Sequence, residues 1–298
     1  MSADKKTTTD RLKVRKTYKL YVNGAFVRSE RGRYLTQMDA KGEFVSNYSW
    51  ASRKDFRDAV VAARKAFSGW SKRSAFNRSQ ILYRAAEMLE DRREVFEGHL
   101  AELIGLKTPA ARREVDAAID RFVYFAGWAD KYGQILSSVN PIGAPYFNFS
   151  MPEPTGVVTV FASRNSPLVG IVAAIAPVIL SGNTVIVVVE NQAPTLSIDL
   201  AEVLATSDLP AGIVNILTGR RAEIIPFAAE HMDVNAIASF GSDNDERRTI
   251  QEMASDNVKR VHFDDDPAIK DWHSSDHESL YKIVPFIEIK TAWHPIGV

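Results

Sequence analysis

Cysteine is absent from all 298 residues of this chain. Disulfides, thiolate metal sites and any mechanism built on a thiol nucleophile are therefore excluded within it. A serine or threonine is a poor substitute, because its alkoxide is barely populated near neutral pH without a dedicated base. Net charge is missing too, since 37 basic side chains balance 37 acidic ones. With no global field there is no pull toward nucleic acid or an anionic membrane, and neither is expected as a partner. The longest apolar run, Leu168 to Leu180, is too short to span a bilayer and reads as a buried helix. Residues 1–16 are polar and lysine-rich, without the apolar core of a signal peptide. They are expected to form a disordered tail, and a cytoplasmic location is the default expectation. No Gly-x-Gly-x-x-Gly, P-loop or Gly-x-Ser-x-Gly pattern occurs, and there is no internal repeat.

What remains is an ordinary globular composition, large enough for one big α/β unit or two smaller ones. Tyr18 to Val27 reads as two short strands around an Asn23-Gly24 turn. Ser52-Arg-Lys-Asp55 is a capping box, opening a helix with Phe56, Val60, Ala63 and Phe67 at helical spacing. Two more helices carry Ile81 to Leu89 and Val115 to Ala126. From Gly156 the pattern alternates. Strands at 156–161, 184–189, 212–217, 236–240 and 258–263 are separated by helices at 168–180, 195–206, 222–230 and 243–254. Five strands with helical crossovers predict a doubly wound parallel sheet. The charge runs Arg112-Arg113-Glu114 and Asp264-Asp265-Asp266 read as solvated faces or loops.

In order and combination, several segments resemble the NAD-binding half of an aldehyde dehydrogenase. They include Tyr18-Lys-Leu-Tyr-Val-Asn-Gly-Ala-Phe-Val27, Ala126-Gly-Trp-Ala-Asp-Lys131 and Glu153-Pro-Thr-Gly-Val-Val158. Asn165 with Pro167-Leu168, Ser181-Gly-Asn-Thr-Val185 and Leu209-Pro-Ala-Gly-Ile-Val-Asn-Ile-Leu-Thr-Gly219 complete the set. The resemblance implies a Rossmann-like fold divided as follows. Residues 17–133 and 154–264 form the nucleotide-binding domain, and 134–153 with 284–298 form a β oligomerisation element. The polar stretch 265–283 is expected to be a linker standing where the family has its catalytic domain.

The chemistry that the resemblance implies is altered position by position. The family's oxyanion asparagine maps to Asn165, which is expected only to cap the turn before the 168–180 helix. Its neighbours are Arg164 and Ser166 instead of aromatic residues. The lysine that contacts the adenosine ribose falls at Val188, and its acidic partner falls at Asn191, with Glu190 one place away. The phosphate-approaching turn keeps Gly241 and Ser242 but continues Asp243-Asn244-Asp245-Glu246, an acidic helix cap that would repel a pyrophosphate. The general-base glutamate aligns with Asp264, followed by Asp266 and Pro267 where glycines are expected. No catalytic residue and no cofactor is therefore expected, NAD included. His273 and His277 would share a face if helical, but no third metal ligand is evident.

The strand 284–294 is similar to the family's C-terminal oligomerisation strand. Phe286, Ile287, Ile289 and Trp293 are expected to bind a partner, and an unpaired strand of this kind is an aggregation hazard. The resemblance thus implies a non-catalytic subunit that assembles with a full-length aldehyde dehydrogenase; otherwise the strand folds onto its own hairpin near 134–153 or onto a second copy, giving a homodimer. Two other readings stand beside it: an NAD-holding module without turnover, and a dehydrogenase completed in trans by a partner's thiolate.

Overall fold

Apolar runs without alternation become buried strands, and segments of 3.6-residue period cover them. In the computed structural model, which describes residues 14–296, the chain opens with β1 (Thr17–Tyr18) and the hairpin β2 (Leu20–Val22) and β3 (Ala25–Val27). Next come β4 (Tyr34–Met38), β5 (Phe44–Ser49), α1 (Arg53–Ser71), α2 (Ala75–Asp91), α3 (Arg93–Ile104) and α4 (Thr108–Trp128). A short α5 (Tyr132–Leu136) leads into β6 (Ser138–Asn140) and β7 (Tyr146–Pro154). The alternating half runs β8 (Val157–Phe161), α6 (Val169–Leu180), β9 (Thr184–Val189), α7 (Thr195–Ala205) and β10 (Val214–Thr218). It continues α8 (Arg221–Glu230), β11 (Ala236–Phe240), α9 (Asn244–Ser255) and β12 (Arg260–Asp264). Last are α10 (Ile269–Trp272), three single 3-10 turns and β13 (Ile287–Pro295).

The main sheet has seven strands in the order β12-β11-β8-β9-β10-β2-β3. Strands β8 to β12 are mutually parallel, as the doubly wound reading requires, and β2 joins β10 antiparallel. Every residue of β8, β9, β10 and β11 is buried, which is why these strands are apolar on both faces. One face packs on α2, α4, α6 and α7, the other on α1 and α8. The capping box at Ser52 forms, with Asp55 returning a bond to the Ser52 amide. Gly182, at φ 90°, closes α6 in a left-handed cap that a side chain would strain. Among the described residues no helix is long and apolar enough to cross a membrane.

The expected disordered tail lies outside the described residues except for Val14 to Lys16. There Lys16 donates to Asp199 at 2.9 Å and Glu202 at 2.7 Å, so this end of the stretch is anchored. A small sheet, β1-β5-β4, and helix α3 were not foreseen. The sheet strands are half-exposed and carry no clean apolar alternation, so their period is faint.

Two expectations need correction. The segment 265–283, expected to be a linker, packs against the fold, because Trp272 and Ile283 are 2% and 0% exposed and belong to the core. The C-terminal strand is also not unpaired. β13 runs antiparallel to β7 over its full length, from Ile287 opposite Pro154 to Pro295 opposite Tyr146. It forms the outer strand of a three-stranded sheet, β13-β7-β6. Phe286 and Ile287, expected to face a partner, are buried in this chain's own core, whereas Ile289 and Trp293 are exposed. A short turn turns Phe286 inward before the strand begins, and every residue of β13 beyond Ile287 is half-buried or exposed.

Candidate functional site

Open α/β sheets bind ligands at the carboxyl ends of their strands. In this molecule the turns after β8, β11 and β12 meet there, and Asp266 lies at their centre. Its carboxylate accepts from the Ser163 hydroxyl, from the Arg164 amide at 2.7 Å, from the Asn165 amide at 3.3 Å and from Trp272 Nε1 at 3.2 Å. Asn165 does not cap α6; its Nδ2 donates to the Asp266 carbonyl at 2.8 Å. Gly241, at φ 61°, leaves room for this arrangement, since a Cβ there would come within 2.6 Å of the Asp266 Cβ. The retention of Gly241 thus has a reason within the chain that requires no nucleotide.

The N-terminus of α6 is satisfied by Glu114, whose side chain is fully buried. Glu114 Oε1 accepts from Ser166 Oγ at 2.8 Å and from the Leu168 and Val169 amides at 3.1 Å each. A carboxylate at a helix N-terminus is electrostatically favoured, and burial strengthens the effect. Its Oε2 lies 2.6 Å from His273 Nε2. The charge run containing Glu114 is therefore not wholly solvated, as it was expected to be. Arg121, 1% exposed, holds the same segment. It donates to the carbonyls of His277 at 2.9 Å, Trp272 at 3.3 Å and Ser274 at 3.4 Å. Burial depresses its basicity, and nearby Glu278 opposes the shift. The two histidines serve different contacts, His273 on Glu114 and His277 stacked on the Trp272 ring at 5.1 Å. Among the described residues no group of three metal-ligating side chains occurs.

Beside this lies the turn that the resemblance assigns to nucleotide phosphates. Asp243 caps α9 by accepting from the Glu246 amide at 2.8 Å. The Glu246 side chain turns back across the turn instead of facing solvent. It meets Arg164 at 2.9 Å and the buried Arg221 at 3.2 Å. Arg221 also donates to the Phe240 carbonyl at 3.0 Å and to Ser242 Oγ at 2.9 Å. Glu190 accepts from the Arg221 amide at 3.0 Å and sits 3.7 Å from Arg220. Val188 is a core residue at 2% exposure, and Asn191 closes a local turn on the Ala193 amide. Arginines and carboxylates of this chain thus occupy the turn and neutralise one another.

Asp264, expected to be a solvated loop residue, is clamped. Both of its oxygens accept from Lys282 at 2.8 Å, and His262 Nε2 lies 3.4 Å away. Burial would raise its pKa, but the bonds from His262 and Lys282 outweigh that and bring it down to about 2. A carboxylate this acidic is a weak base at neutral pH. The cavity that the segment walls off between Arg121, Phe125, Phe240 and Trp272 measures about 270 Å³. That is below the roughly 300–1,000 Å³ typical of ligand pockets.

Comparison with known proteins places the chain. The aldehyde dehydrogenase family model matches residues 26–264. This chain belongs to the aldehyde dehydrogenase family. It is 30% identical over 245 residues to the D-glyceraldehyde dehydrogenase (NADP(+)) of Thermoplasma acidophilum, covering 82% of this chain and 49% of that protein. Against the cytosolic 10-formyltetrahydrofolate dehydrogenase of Xenopus tropicalis it is 32% identical over 256 residues, covering 82% of this chain and 28% of that one. An NAD-dependent aldehyde dehydrogenase from Sinorhizobium meliloti superposes with a TM-score of 0.77 at 30% identity, over 84% of this chain and 50% of that one. The chain thus spans about half the length of the first curated relatives it matches. The family match ends at Asp264, the residue before the segment that Glu114 and Arg121 hold.

Sequence reasoning missed Glu114, Arg121, Arg221 and Asp266 as organising residues of this aldehyde dehydrogenase-like site. Glu114 and Arg121 did carry a signal. Both lie on α4 among Ala118, Phe122 and Phe125, on the face that its apolar period buries.

Proposed function

We propose that this chain is a non-catalytic member of the aldehyde dehydrogenase family that works by assembly, docking on a full-length, cysteine-bearing aldehyde dehydrogenase to stabilise or regulate it. The observation that carries the reading is Asp266. The chain's own carboxylate fills the amide turn beside Asn165, where the family resemblance would put an oxyanion. No thiol is present in the sequence to form such an oxyanion. NAD does not fit the residues present. Glu246 meets the incoming phosphates, its balancing arginines are already engaged, and Val188 has no donor for a ribose hydroxyl. The outer edge of β13, with Ile289 and Trp293 exposed, supplies a surface for strand addition to a partner sheet. Completion of an active site in trans is the weaker reading, because Asn165 Nδ2 is already committed to Asp266.

Co-expression with a full-length aldehyde dehydrogenase of the same organism, followed by mass photometry, tests the assembly. Mixed species are expected, and two separate homogeneous populations would overturn it. The purified chain is expected to form no NADH from aldehyde and NAD; measurable turnover would sink the non-catalytic reading. Titration with NADH, read by energy transfer from the five tryptophans, is expected to show no saturable micromolar binding.

A further inference from the structure

No backbone hydrogen bond ties residues 265–283 to the body of the fold. Among the described residues, the backbone–backbone bonds of this segment are all short-range, such as Asp271 to Ala268 and Lys282 to Ser279. The segment holds one four-residue helix, α10, and no strand. Its release therefore breaks no sheet or helix bond of the body. Side chains do the fastening instead. Arg121 donates to three of its carbonyls, Glu114 meets His273, and Lys282 clamps Asp264. Of its own side chains only Trp272 and Ile283 are buried, and a cavity of about 270 Å³ lies between it and the body. Interiors at native density have few voids of that size, so the segment is loosely seated. A stretch with few buried apolar contacts and no backbone stitching opens at lower free energy than the sheet beneath it.

The latch of this segment is Asp266. Its carboxylate accepts from the Ser163 hydroxyl and from the Arg164 and Asn165 amides, the latter two at 2.7 Å and 3.3 Å. Ser163 Oγ in turn accepts from the Asn165 and Ser166 amides at 3.1 Å and 2.8 Å, which leaves its proton aimed at the carboxylate. Three donors of one turn thus converge on a single anionic group, a concave nest for an anion. We propose that residues 265–283 form an autoinhibitory strap. Asp266 is its built-in ligand, and when the strap opens the turn 163–165 binds a free small carboxylate in its place. The fourth donor to Asp266, Trp272 Nε1 at 3.2 Å, belongs to the strap and leaves with it. A tethered group competes at high effective concentration, so the closed state prevails until the free carboxylate is millimolar. Glu114 holds the neighbouring Ser166, yet the turn already carries one carboxylate in its presence. The Arg164 guanidinium faces Glu246 at 2.9 Å, so neutral donors do the binding, and a singly charged carboxylate suits them better than a phosphate. The strap is particular to this chain, since the family match ends at Asp264.

Hydrogen exchange of the whole chain, read by mass spectrometry of its peptides, tests the opening. The strap amides are expected to exchange roughly a hundredfold faster than those of β8 to β11, with a weaker dependence on urea. Acetate at tens of millimolar should speed that exchange at least twofold over sodium chloride of equal ionic strength, because it binds the open state. Asp266→Ala removes the built-in ligand, so acetate in place of chloride should raise its melting temperature more than it raises the parent's. Asp243→Ala, which removes a carboxylate outside the turn, should respond as the parent does. Strap amides that exchange at the rate and urea dependence of β8 to β11 would overturn the proposal. Equal responses to acetate and chloride in both the parent and Asp266→Ala would overturn it as well. The exchange measurements use the parent chain and decide the matter even where Asp266→Ala fails to fold. Mixed assembly with a full-length enzyme is read separately by mass photometry and stands apart from either result.

Discussion

At the carboxyl ends of the parallel strands, Glu114 and Arg121 are 0% and 1% exposed and tie a nineteen-residue stretch to the body of the fold, whereas on the small three-stranded sheet Ile289 and Trp293 stand more than half exposed. The crevice where this fold ordinarily receives ligands is narrowed by polar groups from the chain itself, leaving a cavity of about 270 Å³. Among the described residues, the small sheet presents an outer strand edge with no neighbouring strand, together with exposed apolar side chains. The contrast is the physical basis for reading this family member as an assembling protein.

The contrast can be broken first at Arg121. Arg121→Leu leaves three carbonyls without their donor and Glu278 without its nearby positive charge, and removing one side of a buried charged network costs about 3–5 kcal/mol. Urea unfolding should register the loss, together with earlier proteolysis within 265–283; an unchanged midpoint would mean the seal is not structural. Ile287→Ala comes next, at about 2–4 kcal/mol for a fully buried aliphatic side chain. It should act on folding even in a monomeric background, because Ile287 packs in this chain's own core.

Asp264 sharpens the comparison through pH. Its folded pKa of about 2 lies below the ordinary value of 3.8, so its contribution is full above about pH 4 and disappears as pH falls toward 2. The shift corresponds to about 2 kcal/mol at neutral pH. Asp264→Asn should lose about that much at pH 7 and little at pH 2, as measured by unfolding across that range. A parallel loss at both pH values would mean that the ion pair with Lys282 contributes nothing.

A smaller effect is expected at Gly241. Gly241→Ala combines a positive φ with a collision against Asp266, for a cost of about 1–3 kcal/mol. Part of that cost should vanish in an Asp266→Ala background, giving a coupling of about 1 kcal/mol in a double-mutant cycle. Full additivity would show that the two residues do not share the space. The smallest effect belongs to the open sheet. Ile289→Ser should change monomer stability by no more than about 0.5 kcal/mol, although Ile287 lies only two residues away on the same strand.

Legibility followed the range of the interaction. The run Thr184–Val189 could be read as a central strand because burial on both faces requires an unbroken β-branched run, and the capping box at Ser52 because its two partners lie three residues apart. The acidic stretch at 243–246 was read as a helix cap, which holds for Asp243 but not for Glu246, whose side chain turns back to Arg164 and Arg221. The charge runs misled for the same reason. Glu114 meets His273 across 159 positions and Arg121 meets Trp272 across 151, and no local pattern encodes such distances.

Sequence alone determined the order and type of the alternating elements from Gly156 to Asp264 and the missing thiol, because hydrophobic period and residue identity are local properties. Which charges are buried, and which strand edge is left open, was decided only by the tertiary structure. Ion pairs and strand neighbours depend on where distant segments come to rest, and the docking of 265–283 and the pairing of β13 with β7 supply that placement.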